Sequence, residues 1–160
     1  MNFSESAIYR HFKSKEDIIV AMLEYIASSL DKRYQNNDAI NLSPDDKLIL
    51  NFETQFSFFN EKPHFVAAVF TEGFMEENNR INETILKIMR VKMSHLLPIF
   101  KEGQDKKVFT NELSTEELIH IVMGTVRLQM FKWRVSKFEF DIVESGNKII
   151  QSLLLLIKSK

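Results

Sequence analysis

The sequence predicts an all-α protein, and three observations support this fold class. The 160 residues include only four glycines and three prolines, so few positions interrupt a helix. Apolar residues recur at spacings of three and four over most of the chain, which is the period of one helix face. Residues that cap helix N-termini precede several of these stretches. A chain of this length can also bury a substantial core.

The N-terminal stretch predicts a short helix, a tight turn and a longer helix. Ser4 is a suitable N-cap for a helix to about His11, and Ser14 with Asp17 forms a capping box for the next. No acidic residue lies between positions 7 and 15. Cations and hydrogen-bond donors are frequent there instead, namely Tyr9, Arg10, His11, Lys13 and Lys15. This chemistry predicts contacts to phosphates.

The same stretch resembles the recognition helix and following turn of the TetR family of bacterial transcriptional repressors. The residues that carry the resemblance are Ser6-Ala7-Ile8-Tyr9-Arg10-His11-Phe12-Lys13-Ser14-Lys15-Glu16. By resemblance, Tyr9, His11 and Lys15 hold operator phosphates. The start of the helix, which faces the bases, carries the remaining predicted DNA-binding residues Ser4, Glu5, Ser6 and Ala7.

The family places two further helices before its recognition helix, whereas this sequence starts at Met1 without them. A recognition helix needs a supporting helix to set its angle in the major groove. We therefore expect a partial helix-turn-helix, lacking the first helices, within a partial DNA-binding domain at residues 1–35. A ligand-binding and dimerisation domain is expected at residues 36–160.

The composition and the absence of several sequence motifs argue against three classes of protein: basic nucleic-acid-binding proteins, membrane proteins and enzymes. The formal net charge of −1 argues against a basic nucleic-acid-binding body, so DNA affinity is expected only at the N-terminal end. The sequence shows no cysteine, secretory signal or long apolar run, which favours a cytoplasmic protein with no membrane partner. It also shows no glycine-rich phosphate loop, nucleophile elbow or histidine at metal-ligand spacing. We expect no enzyme activity, no cofactor and no metal site.

Two capped helices are predicted after the turn. Ile18, Met22, Ile26 and Leu30 form an apolar stripe that predicts a helix to about Tyr34. Residues 36–43 are then expected to form a polar connection. Ser43 is a suitable N-cap, and Asp46 three residues later completes a capping box with it. Pro44 lies at the first helical position, where proline is favoured. They predict a helix from Pro44 to about Asn60.

Phenylalanine is concentrated in the next part of the chain, where seven of the 14 lie between residues 52 and 74. They predict either a packed core or the wall of an apolar cavity, and the resemblance to the TetR family implies a cavity. A further helix after Pro63 is expected to carry Phe65, Phe70 and Phe74. The candidate ligand-binding residues are Phe52, Phe56, Phe59, Phe70, Phe74 and Met93, with His120 and Arg127 at a polar end.

A long helix is predicted from Ile81 to Phe100. Pro98 is expected to kink or end it, because proline cannot donate a hydrogen bond to the carbonyl four residues back. Gly103 is expected to stop the element, and residues 104–113 to form a charged loop.

The last two predicted helices are more apolar than one face requires. Ser114 with Glu117 opens a helix to about Ser136, and Asp141 with Glu144 opens the last one. The excess of apolar positions has two explanations. The two helices of one subunit could pack against the same two helices of a second subunit in a two-fold four-helix bundle, which is the arrangement of the TetR family. Alternatively, both helices could be central in one large core. The candidate dimerisation residues are Met123, Val126, Met130, Ile150, Leu153 and Leu154.

The sequence thus predicts a TetR-like regulator, a repressor whose operator binding is relieved by a small, largely apolar effector in the helical body. Its expected partners are operator DNA in the full-length protein, the effector and a second copy of the chain. The alternative is a helical dimerisation or interaction module that does not read DNA. DNA binding by a chain with a complete helix-turn-helix distinguishes the two.

Overall fold

The structure, a computed structural model, describes residues 12–70 and 79–159. Six α-helices lie in these ranges: α1 (Lys15–Asp38), α2 (Pro44–Glu61), α3 (His64–Val69), α4 (Asn79–Asp105), α5 (Thr115–Val135) and α6 (Ile142–Ile157). Over the same ranges there is no β-strand, and Phe109 and Lys158 form one isolated antiparallel bridge. The prediction of an all-α fold is confirmed.

The predicted N-caps explain where four helices begin. Ser14 Oγ accepts a hydrogen bond from the Asp17 backbone N–H at 3.1 Å, and Ser43 Oγ caps α2 in the same way. Ser114 and Glu117 form a complete capping box at α5. Asp141 accepts from two backbone N–H groups at the start of α6. Each cap satisfies donors that have no partner within the helix.

Helix α1 continues to Asp38, so the predicted polar connection from residue 36 is wrong at its start. Tertiary hydrogen bonds hold the last turn: Asn37 Nδ2 donates to Thr54 Oγ1 at 2.8 Å, and Asp38 contacts His95. The predicted domain boundary between residues 35 and 36 falls inside this helix. Its buried face packs against α2 and α4, and the two-domain division stays a prediction.

Helix α4 passes through Pro98 without ending there, and it continues to Asp105, so the expected stop at Gly103 is wrong. Proline removes one backbone hydrogen bond. Buried Leu96, Ile99 and Phe100 on both sides of Pro98 stabilise the helical path. At Gly103 a side chain would overlap the Phe109 ring, so glycine here provides space for an aromatic contact within the last turn.

Helix α3 is shorter than predicted. It covers His64–Val69, and Phe70 is its C-cap residue. Phe74, which was predicted on the same helix, lies outside the described residues. Around this short element, α1, α2, α4 and α5 enclose a cavity, while α6 packs against α2 and α5 on the other side of the core. None of the helices in the described ranges has the length and apolarity to cross a membrane.

The structure buries most of the predicted dimerisation residues within the protomer, and their role in a dimer stays a prediction. Five of them are buried inside the protomer, namely Val126, Met130, Ile150, Leu153 and Leu154. The sixth, Met123, lines the interior cavity. These residues contact the chain's own core because α5 and α6 turn them towards α2 and α4, and the exposed apolar residues of the two helices are different ones: Ile121, Leu128, Val135, Leu155 and Leu156.

Candidate ligand-binding cavity

A cavity of about 480 Å³ lies between α1, α2, α4 and α5, with α3 at one side. Its wall is predominantly aliphatic, aromatic and methionine side chains. The exceptions are six residues with polar groups: Tyr34, Gln55, Lys92, Glu116, His120 and Arg127. An apolar cavity with a few polar groups is the usual form of a small-molecule site.

Most of the predicted ligand-binding residues line this cavity. Phe52 and Phe59 contribute from α2, Phe70 follows α3, and Met93 lies on α4. His120 and Arg127 line it from α5, as expected for a polar end.

Two of the predicted residues are not part of the described wall. The structure places Phe56 outside the lining, fully buried beside Gly146 of α6. Phe74 lies outside the described residues.

Lys92 is linked by hydrogen bonds to the other polar groups of the cavity wall that lie away from α5. Its Nζ donates to the Tyr34 hydroxyl at 3.0 Å and to Asn51 Oδ1. The same atom lies 4.0 Å from the centroid of the Phe52 ring and 4.4 Å from that of Tyr34. Lys92 is 6% exposed and Tyr34 is fully buried. The Tyr34 hydroxyl donates in turn to Gln55 Oε1 at 3.4 Å.

Burial shifts the pKa values of Lys92 and Tyr34. It lowers the pKa of Lys92 well below its ordinary value, because the charged ammonium has left water. It raises the pKa of Tyr34, which therefore stays neutral. In residues 12–70 and 79–159, no carboxylate contacts Lys92 Nζ. This end of the cavity thus carries an amine and a neutral hydroxyl, and no acid contacts the amine among these residues.

The α5 side of the cavity is polar in a different way. Glu116, His120 and Arg127 are spaced along one face of the helix and all are exposed. The Arg127 guanidinium lies 4.8 Å from the centroid of the Phe70 ring. These charges remain in contact with water, so they mark the solvent side of the cavity.

A second cluster lies one turn from Lys92 on α4. His95 is 8% exposed, its Nε2 lies 2.8 Å from Asp31 Oδ1, and its Nδ1 lies 2.6 Å from Asp38 Oδ2. Within the described ranges, no set of three His, Cys, Asp or Glu side chains has the geometry of a metal site. The contacts of His95 with Asp31 and Asp38 join α4 to α1.

Sequence reasoning missed Lys92, Tyr34 and Gln55, although one signal was present. Lys92 interrupts an apolar stripe of α4 that otherwise consists of Ile81, Ile85, Ile88, Leu96 and Ile99. A lysine at a core-facing position of a helix is unusual and calls for a partner or a ligand. The identities of Tyr34 and Asn51 as its partners follow only from the packing of α1 and α2.

The predicted DNA-binding end is described only in part. Lys15 is exposed at the first position of α1. The other predicted DNA contacts, Ser4, Glu5, Ser6, Ala7, Tyr9 and His11, lie outside the described residues. Arg80 near the start of α4 pairs with Glu16 at 3.1 Å and with Asp17 at 2.9 Å. These pairs connect a cavity helix to the first turn of α1, and the hydrogen bond from Arg80 lowers the pKa of Asp17.

The comparison with known families identifies the class of protein. A family model of TetR C-terminal regions, described as "YsiA-like protein, C-terminal region", matches residues 21–158. The chain belongs to the TetR family of transcriptional regulators. The family recognised from residues 6–16 is thus confirmed by a match that covers most of α1 and all of α2 to α6.

Two proteins of Bacillus subtilis (strain 168) are similar to this chain. The chain is 26% identical to the uncharacterized HTH-type transcriptional regulator YerO, over 94% of this chain and 54% of that protein. It is 22% identical to a fatty acid metabolism regulator protein, over 98% of this chain and 80% of that one. The chain therefore spans about half the length of YerO.

Solved structures share the TetR fold of the chain. FadR from Bacillus subtilis in complex with stearoyl-CoA superposes with a TM-score of 0.74 at 21% identity, over 94% of this chain and 81% of that one. The ketosteroid transcriptional regulator KstR2 of Mycobacterium tuberculosis gives a TM-score of 0.79 at 16% identity, over 99% and 80%. At these identities the similarity establishes the fold.

Proposed function

We propose that the chain is the effector-sensing part of a TetR-type transcriptional regulator, in which an apolar ligand in the cavity controls operator binding. The observation that carries this proposal is the position of α1. Ala27, Leu30 and Tyr34 of this helix line the cavity. The N-terminal end of the same helix adjoins the stretch with the predicted DNA contacts. One helix thus links ligand and operator.

The mechanism we propose is a shift between two shapes of the body. An effector that fits the cavity better in one shape favours that shape, and its effect cannot exceed the difference between its two affinities. The Arg80 pairs with Glu16 and Asp17 provide a second connection, because a movement of α4 also reaches the first turn of α1. We infer that the occupied shape is the one that releases DNA, which makes the regulator a repressor.

The wall chemistry and the relatives support an apolar effector. FadR of Bacillus subtilis is described in complex with stearoyl-CoA, and KstR2 is described as a ketosteroid regulator. The molecules in these descriptions have large apolar parts, which the aliphatic and aromatic wall of this cavity also suits. A regulatory protein fits this arrangement better than an enzyme does.

We also propose a homodimer that uses the exposed apolar residues of α5 and α6. Ile121, Leu128 and Val135 recur every seven residues, so they share one face of α5. Leu155 and Leu156 of α6 are 80% and 79% exposed. Leucines this exposed on paired helices favour a contact with a second copy. A dimer would present two N-terminal ends, one to each half-site of an operator.

The test compares ligand and operator binding in a chain that carries a complete helix-turn-helix. Ile88 lines the cavity on α4, whereas exposed Leu86 on the same helix does not. We expect Ile88→Trp to weaken both effector binding and effector-induced release of DNA, and Leu86→Trp to change neither. Calorimetry measures the first quantity and fluorescence anisotropy on labelled operator DNA the second.

Two outcomes would count against the proposal. If apolar compounds bind but never change operator affinity, the cavity does not control DNA binding. If the chain with a complete helix-turn-helix binds no DNA at all, the protein is better explained as a helical interaction module that does not read DNA.

A further inference from the structure

The Lys92 amine is buried and no carboxylate contacts it within residues 12–70 and 79–159, and this observation carries an inference about the effector. Ionised side chains are rarely this buried unless they are paired. Here the contacts of Nζ within the described residues are two neutral oxygens, on Tyr34 and Asn51, and two ring faces. An ammonium has three donors, and these two acceptors use two of them. In the protonated form the third donor has no acceptor among the described residues, so a molecule in the cavity can accept a hydrogen bond from it.

We propose that the effector is an amphiphile with an apolar chain and a carboxylate, and that the carboxylate lies at the inner end of the cavity against Lys92. This inference rests on the proposed function, since it names the ligand class of the same cavity. The carboxylate accepts from Nζ, and the apolar chain extends from there along Phe52, Phe59 and Met93 towards α5.

The electrostatics favour an anion at this position. In the ligand-free protein, burial penalises the charged form of Lys92, as the lowered pKa indicates. A carboxylate in direct contact would replace the lost hydration and supply the missing counter-charge. The neighbouring groups do not compete: the buried hydroxyl of Tyr34 is neutral, and Asn51 and Gln55 are uncharged amides.

The opposite orientation, with the carboxylate at Arg127, is less favourable. Arg127 is exposed on α5, so water screens its charge and an ion pair there contributes little. Glu116, whose charge repels an anion, lines the same side. His95 and its two aspartates belong to a separate cluster, in which the imidazole ring contacts Tyr34 rather than Lys92.

The test uses four probes of one chain length: dodecanoate, 1-dodecanol, methyl dodecanoate and dodecanoyl-coenzyme A. Calorimetry or intrinsic fluorescence of Trp133 gives each dissociation constant for the wild-type protein, for Lys92→Met and for the control Lys87→Met. Lys87 lies on the same helix but is exposed and outside the lining. Thermal melts confirm that each variant is folded.

We expect wild type and Lys87→Met to bind dodecanoate about tenfold or more tightly than the alcohol or the ester, as a charge-assisted hydrogen bond in a buried site would give. Lys92→Met should remove this preference and leave alcohol binding within about threefold of wild type. The wild-type comparison by itself tests the inference if Lys92→Met does not fold.

The outcomes separate this inference from the proposed function. If the alcohol and ester bind as tightly as the acid, or only the coenzyme A thioester binds, the cavity is a ligand site and the carboxylate assignment is wrong. If the acid preference survives in Lys92→Met, the anchor is another residue and the assignment to Lys92 is wrong. If no probe binds at all, the apolar cavity is not an effector site for such chains and both proposals lose their support.

Discussion

His95 Nε2 on α4 lies 2.8 Å from Asp31 Oδ1 on α1. The other ring nitrogen contacts Asp38, about two turns further along α1, so a single imidazole spans the last two turns of that helix. This cluster lies one turn from Lys92 of the cavity wall. The two helices that would transmit an effector's presence to the N-terminal end are therefore joined by a specific contact.

Loss of this contact should destabilise the protein. We expect His95→Ala to lower the free energy of unfolding by about 1–3 kcal/mol, because two carboxylates lose a hydrogen-bond partner and a buried ring is removed. Exposed His64→Ala is the control and should stay within about 0.5 kcal/mol of wild type. Urea denaturation measures both. Equal stability of the two variants would show that the contact contributes nothing.

Lys92 should give stability a specific pH dependence. Burial lowers its pKa in the folded protein, whereas the unfolded chain keeps a value near 10.5. Between these two pKa values the unfolded chain binds more protons, so stability contributed at this site rises with pH. The free energy of unfolding of wild type relative to Lys92→Met should therefore increase from about pH 7 to about pH 9.

Tyr34 acts in the opposite direction at higher pH in every variant that keeps it. Burial raises its pKa above the ordinary value of 10.0, so the unfolded chain releases that proton first and stability falls as pH rises through 10. Lys87→Met is the matched control and should show no such trend relative to wild type. A flat difference between wild type and Lys92→Met would contradict the burial of this amine.

Two helical glycines predict opposite effects of the same substitution. A side chain at Gly146 of α6 would overlap the fully buried Phe56 ring, whereas one at Gly124 of α5 would meet no atom within 4 Å. We expect Gly146→Ala to lower the free energy of unfolding by about 1–3 kcal/mol through overpacking. Gly124→Ala should raise it by up to about 1 kcal/mol, since alanine favours the helix. Denaturation curves that rank the variants the other way would refute the α2–α6 packing.

The proposed dimer should depend on residues that are exposed in the protomer. Leu128 and Leu156 are 65% and 79% exposed on α5 and α6. We expect Leu128→Glu and Leu156→Glu each to raise the dimer dissociation constant about tenfold or more, because each buries a charge without a partner. Leu86→Glu places the same charge at an exposed position of α4 and should leave association unchanged. Analytical ultracentrifugation distinguishes these results, and a wild-type monomer at high concentration would exclude the dimer.

Substitutions at the N-terminal end should affect DNA binding in two ways, by lowering the affinity for all sequences or by changing the base preference. In a chain with a complete helix-turn-helix, Lys15→Ala should weaken binding about equally on all sequences and reduce the salt slope by about one, because it removes one phosphate contact. Lys32→Ala, an exposed lysine further along α1, is the control. Substitutions of Glu5 or Ser6 should instead change which bases are preferred. Anisotropy titrations across salt concentrations measure both effects, and an altered base preference in Lys15→Ala would reject its assignment to a phosphate.

The sequence by itself determined where four of the helices begin, and it determined the family. Caps such as Ser114 with Glu117 act through neighbours three residues apart, and apolar spacing records the face that each helix buries. Both signals are local, so the starts of α1, α2, α5 and α6 were predictable. The motif at residues 6–16 identified the TetR family in the same way, because its residues act at fixed spacing along one short segment.

Only the tertiary structure decided which residues meet. The end of α1 depends on Thr54 and His95 from other helices, and Pro98 stays helical because its flanks are buried. Local periodicity marks Val126 and Leu153 as apolar, but it cannot say whether the same chain or a second copy covers them. The partners of Lys92 come from α1 and α2, at sequence separations of 58 and 41. Contacts of that range follow from how helices pack, which the spacing within any one helix does not encode.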